Sequence, residues 1–217
     1  MVEQRQEFQR DLEAIEAEVT GLFAMVADDL PGATYALLSG NSEVLGVLTE
    51  RERVIDVLYR EIDELASREI LLQAPVASDL RFLLSVLRVV PELERSHDLV
   101  VQIASRANHI LGEDLSPRTR GIVERMGALA SEMWRQSVDS WYQRDRSAAL
   151  ALEERDDEMD ELHASLVAEL ASGRMALPVT MEMTLVARFY ERLADHAVNI
   201  ARRVVYLAGP VKEKPPG

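Results

Sequence analysis

The sequence predicts an all-α protein made of two tandem antiparallel three-helix bundles related by an internal repeat. Three observations predict it. Residues 92–106 and 189–203 are near-copies at an offset of 97, identical at seven of fifteen positions: Glu94, Arg95, Asp98, Val101, Ile103, Ala104 and Arg106. The same offset carries residues 61–65 onto 158–162 without a gap, and a long repeat constrains architecture before any single residue does. Apolar residues recur at helical period, and no stretch reads convincingly as a strand. The composition is helical too: 47% hydrophobic but only 5% aromatic, with Ala, Leu, Val, Glu, Asp and Arg dominant.

Breakers then delimit six helices in order. The first spans residues 3–38, with Pro31-Gly32 expected to kink it. Gly40-Asn41-Ser42 separates it from the second, with Asn41 or Ser42 as N-cap. The second covers 43–72 and ends at Ala74-Pro75, because a residue before proline avoids helical dihedrals. The third covers 77–111 and is closed by Gly112. Ser116-Pro117 is an N-cap with proline at the first helical position, so the fourth helix starts there and runs to 143. The fifth covers 146–171 and stops at Ser172-Gly173; the sixth begins near Pro178 and stops at Gly209-Pro210. Short connections make sequence neighbours antiparallel. Two units follow, 1–112 and 113–210, with 211–217 as a flexible tail.

Charge and composition exclude several functions. The net charge of −14 repels nucleic-acid backbones and anionic lipid. There is no cysteine, hence no disulfide, thiolate metal site or cysteine nucleophile. The polar N-terminus is not a signal peptide, and no apolar run reaches the roughly 18 residues that suggest a membrane span. A cytoplasmic protein is expected. Gly-rich phosphate loops, a Rossmann fingerprint and a nucleophile elbow are all missing.

The repeat preserves acids. Glu94 and Asp98 stand four apart, one helical turn along the same face, as do Glu191 and Asp195. Asp156 and Asp160 form a third such pair on the preceding helix. If the fifth and sixth helices pack antiparallel, Asp156 and Asp160 can face Glu191 and Asp195. Four carboxylates so close need protons, arginine or a cation, and a hard oxygen-seeking metal is the simplest answer. Subtracting 97 maps Asp160 to Asp63 but Asp156 to Tyr59. The first unit therefore offers Asp63, Glu94 and Asp98, with Asp56 or Glu52 as partial substitutes and a weaker or absent metal. A single acidic pair is usually a solvated helix face; three pairs in register are not so easily explained. Arg95 and Arg192, also repeated, suit an ion pair to a neighbouring helix or a phosphate or partner contact equally.

Glu94-x-x-His97 matches the Glu-x-x-His element of di-iron bundles, but Ala194 stands where the repeat would place a second histidine. This keeps a second class open, a carboxylate-bridged metal enzyme or metal store. His109, His163 and His196 add no pattern, and Asn199 is a polar neighbour for the second site. Trp134 and Trp141, seven apart, read as a core or dimer seam, and Met181 and Met183 read as packing.

These residues resemble the PhoU family of phosphate-transport regulatory proteins. The resemblance rests on Pro75-Val-Ala-Ser-Asp-Leu-Arg81, on Glu94-Arg-Ser-His-Asp98, on Glu191-Arg-Leu-Ala-Asp-His-Ala-Val-Asn-Ile-Ala201, and on the duplicated layout. It implies a non-enzymatic negative regulator of phosphate uptake and phosphate-starvation signalling. Such a protein is a homodimer in the bacterial cytoplasm, peripheral to the inner face of the membrane through its partners. The implied partners are a phosphate ABC transporter ATPase and a membrane sensor histidine kinase, without membrane insertion and without nucleic acid. The family's Glu/Asp-x-x-x-Asp motifs hold metal ions. Carried over by position, they are Asp156, Asp160, Glu191 and Asp195, with Asp63, Glu94 and Asp98, for a divalent or trivalent ion such as magnesium, manganese, iron or zinc. Tyr59 and Pro91 depart from the pattern, Pro91 lying one turn before Glu94.

Overall fold

The computed structural model describes residues 2–108 and 115–209. Six helices follow one another: α1 (Val2–Ser39), α2 (Glu43–Gln73), α3 (Ala77–Ser105), α4 (Pro117–Gln143), α5 (Arg146–Ala171) and α6 (Leu177–Ala208). Among the described residues there is no strand. The helix predicted over 77–111 ends earlier, because the chain tightens into a 3-10 turn over Arg106–Asn108. Its predicted end at 111, its closure at Gly112 and the tail 211–217 lie outside the described residues.

Local chemistry explains the ends. The Ser116 hydroxyl accepts from the Thr119 amide at 3.0 Å, ahead of Pro117. Asp145 accepts from the Ser147 and Ala148 amides at 2.8 and 3.1 Å and so starts α5. At α2, the helix formally begins after Ser42, but Asn41 does the capping: its side-chain oxygen accepts from the Glu43 amide at 2.9 Å. Gly173 follows α5 at φ 72°, where a Cβ is disfavoured. Pro31 and Pro91 sit inside α1 and α3 without ending either helix.

In each half, the three helices pack against one another. The halves join along α1–α4 and α3–α6, so the repeats share one core. Phe23 of α1 stands 6.5 Å from Trp134 and 5.7 Å from Trp141, centroid to centroid. Phe82 of α3 lies 6.4 Å from Trp141. Both tryptophans are fully buried, and each is worth several kcal/mol, on the order of 3–5, against alanine. They are core residues between the repeats. Met183 is buried as expected, but Met181 is exposed.

The α1–α4 seam is close. A Cβ on Gly127 would stand 2.5 Å from the Thr34 hydroxyl oxygen. That hydroxyl meets the buried Tyr190 hydroxyl at 2.8 Å. Arg120 of α4 donates to the Leu38 carbonyl in the last turn of α1 at 2.7 Å, satisfying an acceptor that the helix itself leaves open.

Candidate carboxylate clusters and the relatives of the chain

On the second hairpin, α5 and α6 bring Asp156, Asp160, Glu191 and Asp195 into one electrostatic group. Burial pushes the Asp156 carboxyl up to about 6, helped by the charges of Asp195, Asp160, Glu191 and the adjacent Asp157. Glu191 is also raised, chiefly by burial; Arg188, which pairs with it, pulls the other way. Asp156 and Glu191 are half-buried, while Asp160 and Asp195 are exposed. A half-buried carboxylate among like charges favours a proton or a cation.

The first hairpin forms an equivalent group from a different set. Glu94 is raised by burial and by Asp98 and Asp56, against the lowering effect of Arg95. Glu52 is raised by burial, by a hydrogen-bonding contact with Asp98 and by the charges of Asp98 and Asp56. The group is thus Glu52, Asp56, Glu94 and Asp98, all half-buried. Asp63 is not among the charges facing Glu94 or Glu52. It stands seven residues beyond Asp56, roughly 10 Å along α2.

Hairpin length explains the displacement. Glu94 follows Asp56 by 38 residues (94 − 56), whereas Glu191 follows Asp160 by 31 (191 − 160). The first hairpin is seven residues longer, about one extra turn on each arm. The offset of 97 holds for α3 and α6, but α2 matches α5 at 104. At that offset buried Leu48, Ile55, Ile62 and Ala66 map onto buried Leu152, Met159, Leu166 and Leu170. Seven residues are close to two whole turns, so an ungapped repeat keeps the right face and misplaces the height. Tyr59 packs against the core instead. The acid that the ungapped offset lacks in the first unit is Glu52.

Two of the histidines, His97 and His196, serve packing, while His109 lies outside the described residues. His97 is fully buried, and its Nε2 meets Asp29 of α1 at 2.9 Å. The other Asp29 oxygen accepts from Arg51 of α2 at 2.5 Å. One buried carboxylate therefore ties α1, α2 and α3 together. At the 97 offset Met126 and Ala194 stand in place of Asp29 and His97, so the second half closes the same space with apolar groups. His196 bonds the Ser96 hydroxyl at 2.8 Å across α3–α6, and burial lowers its pKa.

Every donor in both clusters is a carboxylate oxygen, the set that suits a hard cation. The raised Asp156, Glu191, Glu52 and Glu94 carboxyls show charge that a cation would neutralise. As the side chains stand, no three acids or histidines among the described residues converge to hold one ion. Rotation of the partly exposed side chains to other staggered rotamers would be needed to bring three oxygens onto one ion.

A family model described as the PhoU domain matches residues 19–107 and 123–204, one segment in each three-helix unit and together well over half the chain. The chain belongs to the PhoU family. The Mycobacterium leprae phosphate-specific transport system accessory protein PhoU homolog 1 is 31% identical over 212 residues, covering 94% of this chain and 93% of that protein. The Synechocystis sp. relative, named phosphate-specific transport system accessory protein PhoU homolog, is 32% identical over 214 residues, covering 97% and 95%. The crystal structure of PhoU from Pseudomonas aeruginosa superposes with a TM-score of 0.86 at 29% identity, over 92% of this chain and 98% of that one. The PhoU structure from Streptococcus pneumoniae gives 0.85 at 25% identity, over 93% and 97%. The duplicated all-helical PhoU architecture therefore extends through this chain.

Proposed function

We propose that this PhoU-family protein is a phosphate-transport accessory protein that restrains phosphate uptake and starvation signalling when phosphate is plentiful. The observation that carries the reading is near-full-length similarity to relatives named phosphate-specific transport system accessory proteins. In this reading it is an adaptor between a phosphate ABC transporter ATPase and a membrane sensor histidine kinase, acting as a cytoplasmic homodimer. No helix among the described residues is long and apolar enough to cross a membrane.

The carboxylate clusters serve docking rather than turnover. Asp156, Asp160, Glu191 and Asp195 on one hairpin, and Glu52, Asp56, Glu94 and Asp98 on the other, would hold a hard cation. The cation would supply charge neutralisation and open coordination positions for a partner's oxygen atoms. Support comes from the all-carboxylate donor sets and the upward shift of Asp156. The competing reading, a di-iron-type enzyme or metal store, needs Glu94-x-x-His97 as a ligand pair, and His97 is engaged with Asp29 instead. An iron-loaded protein with oxygen-dependent absorbance would favour that alternative.

Affinity capture of this protein from cells grown at high and low phosphate tests the adaptor. Recovery of the transporter ATPase and the kinase, weakened by chelation and by Asp195→Asn, is expected. Recovery of neither partner under either condition would contradict the adaptor role.

A further inference from the structure

The α3–α6 seam has an approximate two-fold relation, because the two helices are the repeated elements and run antiparallel. Ser96 meets His196 near its middle, Arg106 meets Glu182 toward one end, and Arg88 and Arg203 line a common cleft toward the other. The ends differ in charge. At one, Arg106 is bonded to Glu182 at 3.0 Å and lies over the Phe189 ring at 5.5 Å. At the other, the repeat places Arg203 for Arg106, but Ser85 for Glu182 and Glu92 for Phe189. Ser85 is buried and bonded to the Arg81 carbonyl, so it supplies no counter-charge.

The Arg203 end opens into a cleft of about 580 Å³ whose lining includes Arg88, Arg95, Arg202, Arg203, Glu92 and Asn199. Four arginines and one glutamate give it a local charge of +3 on a chain of net charge −14. Among the described residues, no carboxylate lies within ion-pair distance of Arg88 or Arg203. Arg95 pairs with Glu92 at 3.0 Å and Arg202 with Glu153 at 3.4 Å, both partly exposed contacts that cost little to exchange. At the 97 offset Leu185 and Ser105 replace Arg88 and Arg202. The repeat therefore does not dictate these arginines, and the bundle at the opposite end does without them.

We propose that this cleft binds a small anion with two or more linked phosphoryl groups, such as a short inorganic polyphosphate or a nucleoside polyphosphate. Planar guanidinium groups recognise phosphoryl oxygens in paired hydrogen bonds. Arg88 and Arg95 are seven residues apart, roughly 10 Å along α3, too far to converge readily on one phosphate. A chain of phosphoryl groups spans that length and meets Arg202 and Arg203 on the facing helix. The volume is that of a small-molecule site. The acidic remainder of the surface repels a long nucleic acid. The site is separate from the acid clusters, and the proposal does not depend on the phosphate-transport role.

Calorimetric titration of the full chain with sodium tripolyphosphate tests it, in chelator so that no cation can bridge the ligand to the acid clusters. One site per chain is expected. Arg88→Ala and Arg203→Ala should each weaken it at least about ten-fold, while Arg53→Ala on α2 leaves it unchanged. Orthophosphate should bind at least about ten-fold more weakly. ATP tighter than tripolyphosphate would assign the ligand to the nucleotides; ATP equal or weaker would assign it to inorganic chains. Exposed Arg88 tolerates substitution, so Arg88→Ala decides the matter if Arg203→Ala fails to fold. Tripolyphosphate binding that is absent, indifferent to Arg88→Ala, or matched by orthophosphate overturns the proposal.

Discussion

Burial and neighbouring carboxylates hold Asp156 at about 6, above its usual 3.8. Between those values the folded protein binds more protons than the unfolded chain, so this residue makes stability fall as pH rises from about 4 to 6. Asp156→Asn should therefore stabilise the fold at pH 7, by no more than about 1 kcal/mol because water screens the partly exposed group, and raise the melting temperature accordingly. The gain should vanish near pH 4; melts at both pH values check this. Gly127 makes the opposite point. Thr34 is short and β-branched and holds Tyr190, so Gly127→Ala should destabilise by roughly 1–3 kcal/mol, with part recovered by adding Thr34→Ala. Denaturant titration of the single and double variants measures it. Neither the Thr34 contact nor the Asp29–His97 bond was legible in the sequence, since both depend on how α1 lies against other helices.

At the scale of the helical hairpin, the acid pairs on α3, α5 and α6 were legible because a helix places residues four apart on one face. Their partner on α2 was legible only to within two turns. The face repeats every seven residues, so periodicity alone did not separate Asp63 from Asp56. Hairpin length decided it, and that became visible only with the helices placed. Cation titration followed by calorimetry should consequently show two sites of comparable affinity. Asp98→Asn and Asp195→Asn should each remove or weaken one, and Glu52→Gln should weaken the first. Asp63→Asn should change neither; a loss of the first site in Asp63→Asn would restore the ungapped register. Of the arginine cleft only the repeated Arg95 was legible, because its residues come from two helices about a hundred positions apart.

On the scale of the molecule, two repeats share one core. Phe23, Phe82, Trp134 and Trp141 interlock helices of both halves. Unfolding should therefore be a single transition reported alike by helix content and tryptophan fluorescence. Phe23→Ala, which preserves both tryptophans, should lower the stability of the whole chain by roughly 3–5 kcal/mol; separate transitions for the two halves would contradict a shared core. The duplicated layout and the family were legible in the repeated Glu-Arg-x-x-Asp cores, while the fusion into one body was not, since an internal repeat fixes similarity but not contact. Restraint of phosphate uptake by this protein is tested most directly in the cell. A strain lacking this protein and its paralogues should express a phosphate-starvation reporter at high phosphate, and the wild-type chain should restore repression. A reporter that stays repressed in that strain would contradict the account.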